Sequence, residues 1–296
     1  MYIIFHKFIT FIATKLSSLV YNFHKPIKGI KTKRNKHYKT KGYNSYQRVD
    51  IHYHKDYKTS KPRPCIVYFH GGGWCCYSKS IFSTLSRRLA KMGYVVFNVN
   101  YSLAPLYKMD KIIADCVLAL NYVQKHAHEY GGDPTKLVLG GDSAGAHLSS
   151  LLAGYINSGE IDMSELKGRI KALILFYGVY DINTMQTTGF PNIRTYVKSA
   201  LRGKGRDLVE NAKYSPINYI DSHFPPCILA SGAIDKLHSS QSAEFYKLLQ
   251  SKGIKAQKVF FEKKEARAVH AYMIFDGLET NVITLNKVQE FLKEVI

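Results

Sequence analysis

No apolar stretch of this 296-residue chain stays free of charge for the roughly 20 residues that span a bilayer, so nothing in it reads as a transmembrane helix. Tyr2 to Phe23 comes nearest, yet Lys7 and Lys15 interrupt it and no small-x-small cleavage site follows, which argues against an export signal. Cysteine is sparse and odd in number. Cys65, Cys75, Cys76, Cys116 and Cys227 show neither a CxxC pair nor a Cys/His metal spacing, which excludes a disulfide-stapled scaffold and a structural zinc site. Ordinary thiols in a reducing, cytoplasmic setting follow. Internal repeats are absent, which excludes solenoids and propellers.

Acids are also scarce, 22 Asp and Glu against 42 Lys and Arg, for a formal charge of +20. A balance of this kind ordinarily points to nucleic acid or anionic lipid. Its position decides what it means: residues 1–63 hold 15 Lys or Arg against only Asp50 and Asp56, so +13 of the +20 lies in the first fifth. The densest stretch, Lys25 to Lys41, has no acid at all. With no stacking-aromatic module or nucleic-acid motif beside it, it reads as a solvated, mobile connector and no nucleic-acid partner is expected.

What is present is a folded protein, 46% hydrophobic. At the N-terminus Phe5, Phe8, Ile9, Ile12, Leu16, Leu19, Val20 and Phe23 recur at three- and four-residue steps, with Thr10, Thr14, Lys15 and Ser18 opposite. That is an amphipathic helix. It suits either a lid over the body or a peripheral membrane contact through residues 1–41, with the basic stretch on anionic headgroups. Residues 1–45 are accordingly set apart from a body at 46–296.

Within the body, strand-like segments (46–53, 65–69, 94–99, 136–140, 170–177, 226–231 and 256–261) alternate with helical ones (79–92, 110–130, 143–156, 238–252 and about 280–295). This rhythm predicts an α/β fold, a mainly parallel, doubly wound sheet covered on both faces. One segment breaks it. Ile182 to Asn218 carries Gly189, Pro191, Gly203, Gly205 and Pro216 and is too long for an ordinary connection. An insertion at the C-terminal edge of a parallel sheet lies above the ligand site, so residues 182–218 are expected to form a cap.

The chemistry centres on Gly141-Asp142-Ser143-Ala144-Gly145, which follows the apolar run Leu137-Val138-Leu139 and precedes a helical pattern. Small residues on both sides let the chain bend sharply and lift the serine oxygen off the sheet. The amide of Ala144 then faces any developing oxyanion from a helix N-terminus. After the strand at 65–69 comes His70-Gly71-Gly72-Gly73-Trp74, whose glycines expose main-chain amides suited to a negative oxygen, or simply make a flexible turn. Asp235 ends the run Ile228 to Asp235 at the same sheet edge, where it serves as an acid or caps the helix near 238. His270 follows the last strand. The chain order Ser, Asp, His, each after a successive strand, singles these two out among 12 histidines and 22 acids.

These segments, with Tyr101-Ser102-Leu103-Ala104-Pro105, Gly132-Asp133-Pro134 and Ser215-Pro216, resemble the α/β-hydrolase fold and specifically the hormone-sensitive-lipase-type esterase family, over residues 46–296. The resemblance implies a carboxylesterase-type serine hydrolase acting on small to medium acyl or aryl esters through an acyl-enzyme, without metal or organic cofactor. It implies Ser143 as nucleophile, His270 as base and then acid, and Asp235 as the group that orients it. Amides of Gly72, Gly73 and Ala144 would form the oxyanion hole, with His70, Gly71 and Asp142 in support. Amide-cleaving relatives, arylformamidases or deacetylases, share these groups, and some homologues only bind ligands. Two departures stand out: Ser102 replaces the family's arginine, and no acid follows Gly232.

Overall fold

A computed structural model describes residues 26–296 except 40, 164, 165, 167, 265 and 266. The amphipathic helix expected at Tyr2–Phe23 lies outside the described residues. Eight strands form one sheet in the order β1-β2-β4-β3-β5-β6-β7-β8. They are β1 (Ile30–His37), β2 (Arg48–His54), β3 (Arg63–Phe69), β4 (Val95–Val99), β5 (Gly132–Asp142), β6 (Ile170–Phe176), β7 (Cys227–Gly232) and β8 (Ala256–Phe261). The first two run antiparallel to their neighbours and the other six run parallel. This is an α/β-hydrolase sheet.

The central strands are continuous apolar runs because helices cover both faces. Successive residues point to opposite sides. Val67 and Phe69 of β3, with Leu139, Leu173 and Leu175, pack in one core with α2 (Met109–His126) and α3 (Ala144–Ser158). Ile66 and Tyr68, with Val138, Ile174 and Ile228, pack in the other with α1 (Ser83–Lys91) and the helix Glu279–Val295. Because β3, β5, β7 and β8 are parallel, the loops that follow them all leave at one edge.

The basic stretch read as a mobile connector is corrected in its central part. Residues 30–37 are β1, paired to β2 from Ile30↔His54 to His37↔Arg48 with a bulge between Lys33 and Lys36. Lysines on both faces hide the alternation that marks a half-buried strand, and such charge is what keeps an exposed sheet edge from pairing with other chains. The strand is pinned from the body: Asp50 accepts from the Asn35 amide at 2.7 Å and forms a buried ion pair with Lys79 at 2.8 Å. The sheet therefore begins well before residue 46.

Ile182 to Asn218 leaves β6 and returns to β7 as α4 (Ile182–Met185), α5 (Ile193–Ala200) and α6 (Leu208–Lys213), then a 3₁₀ turn at Pro216–Tyr219. Body side chains hold this insertion largely by its main-chain carbonyls. His147 reaches Tyr214 O at 2.7 Å, Tyr155 OH reaches Lys213 O at 2.8 Å, Lys108 reaches Ser199 O at 2.7 Å and Lys236 reaches Gly189 O at 3.1 Å.

Candidate active site

Ser143 sits between β5 and α3 with φ 49° and ψ −116°, a conformation that L-residues avoid unless the surroundings impose it. Its amide donates to Phe176 O at 2.9 Å and its carbonyl accepts from His147 N at 3.0 Å. The turn is possible because α3 starts against β3: a methyl on Gly145 would lie 1.9 Å from Phe69 O. Glycine is the one residue that fits there.

Asp235 follows β7 and His270 follows β8, and the structure brings both to the serine. His270 Nε2 is 3.0 Å from Ser143 Oγ, and its Nδ1 is 2.7 Å from Asp235 Oδ2. A carboxylate only accepts, so Nδ1 carries the proton and Nε2 presents its lone pair to the serine hydroxyl. Asp235 also receives the Leu237 amide on Oδ1 at 3.0 Å, a local turn two residues on. It does not cap the helical turn at His238–Ser242, whose N-cap is Leu237 with no side-chain cap, so only the histidine-orienting contact is formed. Its side chain is 1% exposed and that of His270 is 20% exposed, so the dyad opens toward solvent at the histidine.

The glycine loop lies against the serine turn. Gly71 N donates to Asp142 Oδ1 at 2.8 Å, and Gly72 O accepts from the amides of Cys75 and Cys76 at 3.1 and 2.9 Å. The amides of Gly72, Gly73 and Ala144 have no acceptor among the described residues. His70 is buried, donates from Nδ1 to Gly71 O at 2.7 Å and stacks on Tyr101, whose hydroxyl returns to His70 O at 2.6 Å. Burial lowers the His70 pKa to about 4, which keeps the ring neutral. Burial likewise pushes Asp142 up to about 8, although hydrogen bonds from the Gly71 amide and Tyr68 oppose the shift. A largely protonated Asp142 puts no full negative charge beside these open amides.

Residues that sequence reasoning missed complete the surroundings. Trp74 Nε1 donates to His147 Nδ1 at 3.2 Å, and His147 Nε2 donates in turn to Tyr214 O. This chain ties the glycine loop, the helix behind the serine and the insertion together. Burial lowers His147 to about 4, so it stays neutral and able to accept from Trp74. Its place four residues after Ser143, one helical turn on, was the available signal. Phe190 and Tyr196 come from the insertion and gave none. Phe190 meets the His270 ring edge-to-face at 4.6 Å, and the Tyr196 ring lies where any side chain on Gly73 would have to go. Ser102 is satisfied without an arginine: Asp115 takes its amide at 2.9 Å and pairs with Lys111 and Gln47.

Among the described residues no cluster of His, Cys, Asp or Glu could hold a metal ion, and no helix is long and apolar enough to cross a membrane. All five cysteines are thiols, with the Cys75 and Cys76 sulfurs 3.4 Å apart beneath the glycine loop.

A mainly parallel sheet that carries a strained serine turn, a glycine loop, an aspartate and a histidine at one edge defines an α/β-hydrolase. The chain belongs to the BD-FAE family, whose model matches residues 49–249. It is similar to the probable carboxylic ester hydrolase LipM of Mycobacterium tuberculosis, at 28% identity over 86% of this chain and 59% of that protein. It is also similar to kynurenine formamidase of Danio rerio, at 29% identity over 65% of this chain and 61% of that protein. Esterase B from Lactobacillus rhamnosis shares the fold, with a TM-score of 0.82 and 18% identity over 99% of this chain and 95% of that one. The chain spans about half to two thirds of the length of the curated relatives it matches.

Proposed function

We propose that this protein hydrolyses carboxylic esters of small to medium acyl or aryl groups through an acyl-enzyme on Ser143. The observation that carries this reading is the unbroken Ser143–His270–Asp235 hydrogen-bond path, built from three separate strand-end loops at 3.0 and 2.7 Å. In the first half-reaction Ser143 Oγ attacks the ester carbonyl while its proton moves to His270 Nε2, and Asp235 stabilises the imidazolium. The carbonyl oxygen, now negative, takes the amides of Gly72, Gly73 and Ala144. Collapse expels the alkoxide, which leaves as the alcohol with the proton from His270. Water then enters, gives a proton to the same nitrogen, and releases the acid from the serine. These side chains and water account for every proton and electron pair, so the reaction as written uses no metal or organic cofactor.

A panel of nitrophenyl esters graded in acyl length, run beside fluorophosphonate labelling, tests this. Turnover together with labelling at Ser143 is expected; failure of both overturns it and leaves the ligand-binding homologue. The similarity to kynurenine formamidase favours one second reading, cleavage of formyl or acetyl amides by the same groups. Higher kcat/KM on aryl formamides than on the matched esters would select it. Acyl choice belongs to residues 182–218, through Phe190 and Tyr196, and to the segment that precedes β1, acting as a cap or a membrane contact.

A further inference from the structure

The geometry points to a docking surface for anionic lipid bilayers where the insertion meets the segment before α2, formed by Leu208 and Val209 with Leu106, and by the cations Lys204, Arg206 and Lys213. Single exposed apolar side chains are ordinary on a protein surface. Here the three most exposed large apolar residues among the described ones are Leu106 at 61%, Leu208 at 66% and Val209 at 81%; Leu208 and Val209 are adjacent in the chain, and Leu106 lies two residues before Lys108. Lys108 donates to the carbonyls of Ser199 and Leu201, and Asp110 binds both Arg202 and the Tyr214 hydroxyl, so the segment with Leu106 is fastened beside the one with Leu208.

The segment with Leu208 is built rather than slack. Gly205 O accepts from the side-chain amides of Gln186 and Asn211 at 3.0 and 3.1 Å, and Gly205 packs so closely that a methyl there would lie 2.4 Å from Val197. The local acids are turned onto the backbone: Glu210 takes the amides of Arg202 and Gly203, and Asp207 takes those of Val209 and Glu210. Lys204, Arg206 and Lys213 are exposed. They outnumber Asp207 and Glu210 on this segment, beside apolar side chains that no described residue covers. Anionic headgroups complement the cations, and the acyl region beneath them takes leucine and valine, which nucleic acid would not use.

The surface goes beyond ester cleavage and does not depend on it. Its test is co-sedimentation of the full-length chain with phosphatidylcholine vesicles, with and without about 30 mol% phosphatidylglycerol. Circular dichroism melts of each variant report the fold independently of turnover. Binding is expected only with phosphatidylglycerol and to weaken as salt rises. Leu208→Asp/Val209→Asp should cut the partition coefficient about tenfold and Lys204→Glu/Arg206→Glu about fivefold, with melts unchanged. Wild-type partition by both variants overturns the proposal. So does loss on Phe8→Asp/Ile12→Asp alone, which moves the contact to the N-terminus, and so does binding of duplex DNA without binding of vesicles.

Discussion

The serine turn and the insertion above it are held in different ways. Around Ser143 the atoms are packed until almost nothing can change: Gly145 touches a carbonyl, Asp142 grips the next loop, and Asp235 and His270 are each fixed by a named partner. The insertion instead spends its short helices on surface loops and sends only a few rings, Phe190 and Tyr196, down to the site. One region admits a single arrangement of residue types. The other presents apolar rings to the site, and under the proposed function it is the region that would leave room for choice of acyl group.

That contrast can be broken by experiment, most sharply at the serine itself. Ser143→Ala is expected to lower kcat on a nitrophenyl acetate by about ten-thousand-fold or more while the melting temperature holds; a small loss would mean that another nucleophile acts. Gly145→Ala should cost about 3 kcal/mol or more through overpacking, seen as a fall in melting temperature of about 6–12 °C. An unchanged melt would show that the turn has slack the packing denies. In the insertion, Phe190→Ala and Tyr196→Ala should each raise KM for aryl esters about three- to tenfold with kcat within about twofold. If either lowers kcat as far as Asp235→Asn, expected at about a thousandfold or more, the two regions are not distinct.

The smallest expected effects are in the pH profiles. The Asp142 pKa is raised, so the protonated form favours the fold; that contribution is intact below the ordinary value of 3.8 and is lost as pH rises through about 8. Ionisation would also oppose the oxyanion. Activity should therefore drop about twofold near pH 8, and Asp142→Asn, which keeps an acceptor for the Gly71 amide, should flatten that limb. For His70 and His147 the sign reverses. Their pKa values are lowered from 6.5 to about 4, so their contribution is present above pH 6.5 and lost as pH falls through 4. Melting temperatures measured across that window should decline, and a flat profile would show that these rings gain protons without cost.

The same contrast explains what could be read from the chain alone. Strands β3 to β7 were legible because burial on two sides makes continuous apolar runs, and the elbow was legible because only small residues fit beside Ser143. Asp235 and His270 were reached through chain order, which the parallel topology turns into spatial proximity at one sheet edge. β1 was not legible, since an exposed edge selects lysine for reasons unrelated to strand formation. Tyr196 and Phe190 escaped notice because packing against a glycine or a histidine ring can be met by many sequences. His147 was hidden by its helix, where a polar residue with both nitrogens occupied looks like any buried polar one.

The insertion is fastened by His147, Tyr155, Lys108 and Lys236 gripping carbonyls of its main chain. A carbonyl is supplied by every amino acid, so these joints are indifferent to which side chains the insertion carries. Mutation at other positions of the insertion can then proceed while these four joints persist, Arg202 and Tyr214 excepted, since their side chains bind Asp110. Under the proposed function, new substrate preferences would be reachable through point changes there, without rebuilding the Ser143–His270–Asp235 path.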